Sequence, residues 1–148
     1  MKKLIYLFIA VLFCGCTQNN GHIGPLFGTW SLESLTIGGV DDPDFEPDRT
    51  FWEFQGDMVS ITRTFPHYEK FNCYGTWTRE GDRLTLYFNH HDNDSGVGEP
   101  PYMAPDWLHF PASGIFEFDV IKLTSNDMVV SRIDEEGQPV VFTLRKIW

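Results

Sequence analysis

Cysteine is nearly absent from this chain: there are three in 148 residues, and two of them, Cys14 and Cys16, fall within the first sixteen positions. Cys73 stands alone in the body of the sequence, so no disulfide staples that body and its stability has to come from a core. Basic residues are scarce as well, 11 Lys and Arg against 21 Asp and Glu, and the net charge of −10 disfavours nucleic acid as a partner. Sustained 3.6-residue periodicity of helical length is missing, which excludes a helical bundle. The apolar run Leu4 to Phe13 falls short of the roughly 20 residues that a transmembrane helix needs. Catalytic signatures are missing too: there is no Gly-x-Ser-x-Gly elbow, no phosphate-cradling loop and no His-Glu-x-x-His. Cys73 has no assignable histidine partner and reads as an apolar filler. Glu117 and Asp119 share one strand face but read as its solvent side. Neither an enzyme nor a cofactor site is expected.

What is present at the start of the chain is a short basic stretch, Met1-Lys2-Lys3, then an apolar run of signal-peptide length, then Cys14-Gly15-Cys16. The segment Phe13-Cys14-Gly15-Cys16 resembles the bacterial lipoprotein signal, in which a small residue precedes a cysteine that is acylated and becomes the mature N-terminus. That resemblance makes Cys16 the lipidated residue, carrying palmitate or a similar chain, because Gly15 precedes it whereas bulky Phe13 precedes Cys14. Residues 1–15 are then a cleaved signal, residues 16–25 a lipidated and polar tether, and residues 26–148 the folded domain. Loss of Lys2 and Lys3 takes the formal charge from −10 to −12. The chain also resembles Bacteroidetes-type lipoproteins, whose surface-export signals favour acidic residues after the cysteine; Thr17 and Gln18 match neither these nor the Asp of inner-membrane retention. The expected location is the outer membrane, lipid-anchored and facing the periplasm.

The folded part reads as short alternating runs separated by Gly, Asp and Asn turns. The clearest is the hairpin from Tyr74 to Phe88, where Glu80 to Asp82 form the turn and Leu84, Leu86 and Phe88 recur with period two. Eight such runs are predicted, at residues 28–37, 50–55, 58–65, 71–79, 83–89, 115–124, 128–133 and 140–147, which makes the class all-β. Their connections alternate between long and tight, with only residues 134–138 out of step. In an antiparallel up-and-down barrel this parity gathers the long loops on one rim and leaves the other end closed. The longest connection, residues 90–114, lies between strands 5 and 6.

Leu26-Phe27-Gly28-Thr29-Trp30 resembles the Gly-x-Trp signature of the lipocalin (calycin) superfamily, and Thr143-Leu144-Arg145-Lys146 resembles its basic partner in the last strand. The resemblance implies an eight-stranded lipocalin-like barrel in which Gly28 and Trp30 close the base and either Arg145 or Lys146 packs a cation over the indole. Tyr74-Gly75-Thr76-Trp77 and the following Gly81 to Leu86 are similar to the fourth and fifth strands of bacterial lipocalin-like lipoproteins.

Alternation places Val59, Ile61, Phe71, Cys73, Trp77, Leu84, Leu86, Phe88, Phe142 and Leu144 on one inward face. A barrel of this size is either filled by side chains or holds one small ligand. Arg63, on the same face as Val59 and Ile61, stands near the mouth, where it either selects an anionic head group or rims the barrel in water. His90 to Gly96 collects imidazoles and carboxylates without the spacing of a calcium loop, so no metal site is expected. Pro100 to Pro111 is apolar and proline-stiffened, and is expected to fold over the mouth as a lid carrying Tyr102, Trp107 and Phe110. The run from Asp41 to Asp48 is acidic and reads as solvated. The resulting expectation is a binding protein for a small hydrophobic or amphipathic ligand, lined by Arg63, Phe71, Trp77, Phe88, Tyr102, Trp107 and Phe110. The alternative is a filled barrel that displays an aromatic loop to a protein or glycan partner.

Overall fold

The structure, a computed structural model, describes residues 24–89, 103–111 and 113–148. Its strands are β1 Gly28–Ile37, β2 Val40–Asp41, β3 Thr50–Gln55, β4 Met58–Thr64, β5 Lys70–Glu80, β6 Arg83–Tyr87, β7 Ile115–Leu123, β8 Asp127–Ile133 and β9 Pro139–Lys146. β1 pairs antiparallel with β3, each strand from β3 to β8 pairs antiparallel with the next, and β1 also pairs with β9, so β1 and β3 to β9 close an eight-stranded up-and-down barrel. β2 is a spur folded back on the tip of β1 through Gly38 and Gly39, both with positive φ. The eight predicted runs fall on the eight barrel strands, with ends displaced by at most two residues. Among the described residues helix is limited to two single 3₁₀ turns, Pro66–Tyr68 and Asp106–Leu108.

Strand direction assigns the loops. Residues 56–57, 81–82 and 124–126 turn at one end, together with the start of β1 and the end of β9. Residues 38–49, 65–69, 88–114 and 134–138 connect strands at the other, so all the long connections share one rim. The short turn 134–138 belongs to that rim by parity and is tied by Asp134, whose carboxylate accepts from the backbone N–H groups of Glu136 (2.9 Å) and Gln138 (2.7 Å).

The closed end is built around Trp30. Its ring is fully buried, and its Nε1 donates to the Leu26 carbonyl at 2.8 Å, so the indole N–H is satisfied without water. Lys146 Nζ lies 5.1 Å from the ring centroid and donates to the Pro25 carbonyl. Arg145 points outward to Glu33 at 3.1 Å. Strand parity accounts for the difference: Val140, Phe142 and Leu144 face inward, and Lys146 continues that face whereas Arg145 does not. Gly28 is required here, because at φ 117° a Cβ would stand 2.2 Å from the Trp148 carbonyl oxygen.

A bulge in β1 shifts the register between Leu32 and Ser34, bringing Leu32 and Leu35 into the core together. A second, in β7 between Val120 and Lys122, turns Lys122 outward beside Ile121 and sets Leu123 opposite the buried Met128. The lower barrel is then filled by Trp30, Phe54, Val59, Leu84, Met128 and Leu144, all fully buried or nearly so.

Replacing Trp30 by Ala is expected to cost about 3 to 5 kcal/mol, as for a large aromatic deletion from a packed interior. Chemical denaturation of Trp30→Ala measures it; a midpoint equal to that of the parent protein would show that Trp30 does not close the base.

Candidate functional site

The upper barrel is lined by rings. Trp52 on β3, Phe88 just after β6, Phe116 and Phe118 on β7 and Phe142 on β9 all face the axis and are buried. At their centre stands Phe110, which no strand supplies. Its ring stacks on Phe116 at 4.1 Å, and its centroid lies 5.9 Å from Phe118 and Phe142, 6.2 Å from Trp52 and 6.3 Å from Phe88. Leu108, from the same loop, is fully buried. Residues 106–111 therefore act as a plug in the mouth, and among the described residues the axis beneath it is packed. Each ring pair of this kind contributes about 0.5 to 1.5 kcal/mol beyond area burial, so the plug is well held.

Local chain geometry drives the plug inward. The turn Asp106–Leu108 ends at His109, whose backbone is left-handed (φ 55°, ψ 36°), and this reversal separates the inward Leu108 from the inward Phe110 by one outward residue. His109 is latched on both sides. Its Nε2 lies 2.8 Å from Asp42 Oδ2, and its carbonyl accepts from Arg132 Nη1 at 2.7 Å. Asp42, with a side chain only 4% exposed, is the one member of the acidic run from Asp41 to Asp48 that is buried, which corrects the reading of that run as wholly solvated.

Arg132 is the inward-facing arginine of the mouth. It continues the buried series Met128, Val130, Arg132 on β8, and desolvation pulls its guanidinium below the ordinary arginine value against the opposing charges of Asp134 and Glu135. The ladder between β7 and β8 ends at Asp119↔Ser131, so toward the rim the wall opens between these strands. Arg132 lies in this gap with Pro111, lining two surface grooves of about 430 and 300 Å³.

Arg63 sits at the rim, half-buried, its guanidinium 5.4 Å from the Phe65 ring and 5.9 Å from the Trp107 ring. Trp107 packs edge-on against the partly exposed Phe71 at 5.7 Å. Arg63, Phe71 and Trp107 therefore form an outer tier above Phe110 and Phe88. Trp77 does not belong to either tier. It packs on Phe54 at 5.6 Å near the closed end and lines an open surface cleft of about 490 Å³ with Gly24, Pro25 and Leu26. Tyr102 and the segment from His90 to Gly96 lie outside the described residues, as does Cys16. No group of three metal-ligating side chains gathers among the described ones.

The site's polar resources are few. The indole N–H groups of Trp52 and Trp107 are buried and meet no acceptor among the described residues. Cys73 is buried, and desolvation, reinforced by the Asp106 charge, pushes its thiol up to about 12, so at neutral pH it is protonated and a poor nucleophile. The arrangement can hold an apolar ring and offer it one or two hydrogen-bond donors. Sequence reasoning missed Arg132, Asp42 and His109. The period-two series Met128, Val130, Arg132 carried a signal for the first; nothing local marked the other two, which meet across 67 residues.

A family model described as a lipocalin-like domain matches residues 11–136. The crystal structure of a lipocalin-like protein from Bacteroides uniformis is 20% identical over 84% of this chain and 100% of its own, with a TM-score of 0.55. A structure of an uncharacterized protein from Bacteroides eggerthii is 21% identical over 82% of this chain and 98% of its own, with a TM-score of 0.56. At such identities the likeness concerns the fold. No curated protein is significantly similar in sequence.

Replacing Arg132 by Met removes the donor to His109 while keeping most of the side-chain volume. It is expected to destabilise the protein by about 1 to 3 kcal/mol and to speed amide exchange in residues 106–111 above all. Hydrogen-exchange mass spectrometry checks this; unchanged exchange in that segment would show that Arg132 does not hold the plug.

Proposed function

The chain belongs to the lipocalin-like domain family, and from that premise we propose that it is a lipid-anchored protein of the cell envelope that binds a small hydrophobic or amphipathic molecule in the barrel mouth, without chemistry. The observation that carries this reading is the origin of Phe110. Four rings contributed by strands, Trp52, Phe116, Phe118 and Phe142, with Phe88 one residue past β6, surround a sixth contributed by the loop. Strand residues are fixed by their ladders, whereas a loop segment held by a few side-chain contacts opens at far lower cost. With residues 106–111 withdrawn, the wall forms an aromatic cup, and Trp52 Nε1, without a partner among the described residues, supplies a donor to an oxygen or nitrogen on the ligand. Arg63, Phe71 and Trp107 at the outer tier suit the polar end of an amphipathic molecule. Binding then competes with the plug, so the apparent affinity is the intrinsic one reduced by the open fraction.

The envelope location rests on Gly15-Cys16 behind the apolar run Leu4 to Phe13. Acylation of Cys16 would tether the protein to the outer membrane, and a periplasmic orientation fits the absence of acidic residues at Thr17 and Gln18. The chain enters the barrel at its closed end, so the mouth is directed away from the lipid and toward solutes of the aqueous compartment. A second reading, the interaction module, draws on the packed interior and on the exposed aromatic rim of Phe65, Tyr68 and Phe71.

Two measurements test these readings. Titration with the neutral probe N-phenyl-1-naphthylamine is expected to give weak binding to the parent protein and binding about tenfold tighter to Phe110→Ala, because the variant empties the cup. Equal, negligible binding to both would favour the interaction module. For the anchor, metabolic labelling with palmitate should mark the parent protein and fail in Cys16→Ser; label retained in that variant would place the lipid elsewhere.

A further inference from the structure

The closed end of the barrel carries a set of exposed apolar side chains that the core does not use. Trp148 is 74% exposed, Ile147 55%, Met58 41% and Phe27 39%. They are neighbours through the backbone. Thr29 N–H donates to the Trp148 carbonyl at 2.8 Å, and Ile147 N–H donates to the Thr29 carbonyl at 2.9 Å, which seats the last two residues beside the start of β1. The pairs Gly28↔Phe54 and Gln55↔Met58 continue the row across β3 to the β3–β4 turn. The row thus runs along one edge of the base, pinned by main-chain hydrogen bonds.

Charge distinguishes this end from the rim. The rim segments 38–49, 65–69, 103–111 and 134–138 hold ten acidic residues against one basic, Arg49. The base segments 24–27, 56–57, 81–82, 124–126 and 147–148 hold two, Asp57 and Asp82, and the strand ends beside them bring Glu80 and Asp127 against Arg79, Arg83, Lys122, Arg145 and Lys146, whereas the strand ends at the rim add only Arg63, Lys70 and Arg132 to its ten acidic residues. A surface of anionic head groups repels the rim and accepts the base. Tryptophan beside lysine is, moreover, the pair that settles at head-group depth, the ring in the acyl boundary and the cation among phosphates.

We propose that the closed end is a lipid-bilayer docking surface, in which Trp148, Ile147, Phe27 and Met58 enter the interfacial layer and hold the barrel upright with its mouth away from the lipid. This deepens the anchored reading above. Apolar burial at the base adds to whatever an acyl chain supplies, and a single chain gives only marginal, reversible attachment without such a second contact. The occupant is the bilayer surface and not a protein, because the row is narrow, sits where the described chain enters the barrel, and is flanked by cations on an otherwise strongly acidic molecule.

The test supplies the anchor chemically, so that it is independent of acylation in the cell. The chain from Cys16 onward, which keeps every described element, is coupled through Cys16 to a maleimide lipid in phosphatidylcholine vesicles containing a minority of phosphatidylglycerol. The buried Cys73 thiol, with a pKa of about 12, stays unmodified. Lipids brominated near the head group should quench part of the tryptophan emission. Most of that quenching should vanish in Trp148→Phe, persist in Trp107→Phe, and return when Met58→Trp is added to Trp148→Phe. Quenching that disappears with Trp107→Phe would put the mouth on the membrane and overturn the proposal, as would no quenching in any variant. A self-associating uncoupled chain that becomes monomeric in Trp148→Asp, with no quenching on vesicles, would assign the row to a second copy instead. Loss of acylation in the cell would show in the palmitate labelling and leave this result unchanged.

Discussion

A closed barrel of eight strands encloses more space than backbone alone can occupy, and that space has to be filled. The closed end meets the demand with a satisfied tryptophan. Trp30 plugs the barrel floor, gives its N–H to Leu26 and receives Lys146 on its face, so no polar atom of the ring is stranded there. The open end meets the same demand with residues borrowed from a loop. Leu108 and Phe110 complete a packing that the wall leaves unfinished, and the Trp52 N–H meets no acceptor among the described residues. The two ends therefore differ in kind: one is finished by the strands themselves, the other by a segment that depends on Asp42 and Arg132 to stay in place.

That dependence concentrates the polar interactions of the mouth on one residue. His109 is exposed, yet it touches a buried carboxylate on one side and a buried guanidinium on the other. Contacts to charged, desolvated groups are stronger than their surface counterparts, and losing one partner strands the other. A latch of this sort keeps the apolar plug from sampling solvent while leaving it a loop that, among the described residues, belongs to no strand ladder.

The eight strands were legible because each alternates on its own and glycine or aspartate punctuates the turns between them; loop parity then fixed which end was open. β2 was not legible, being two residues beyond a Gly-Gly turn. Trp30 was found through its setting in Gly-x-Trp, but Lys146 became distinguishable from Arg145 only when the inward series of β9 was followed to its end. Arg63 stands near the mouth as its face and height implied, rimming it with its guanidinium taken up by Phe65 and Trp107, and Arg132, not singled out from the sequence, supplies the inward cation. Trp77 alternates inward as expected, but alternation carries no height, and it lies near the floor. The aromatic segment over the mouth was foreseen as a cover, whereas Phe110 goes inside. Burial by a loop depends on contacts far away in sequence, and no local pattern announces them.

Closure through β1 and β9 has a consequence for how the molecule forms. Trp30 pairs with Lys146 near opposite ends of the sequence, whereas every other pairing in the barrel joins consecutive strands. The meander from β3 to β8 can assemble hairpin by hairpin as it emerges, but one edge of β1 stays unpaired until the last strand arrives. Contacts so distant in sequence slow folding, and an open edge is a template for another chain in the interval. The barrel is thus a fold whose final step recruits its first strand, and a nascent chain shorn of residues 139–146 would be an open sheet with two sticky margins.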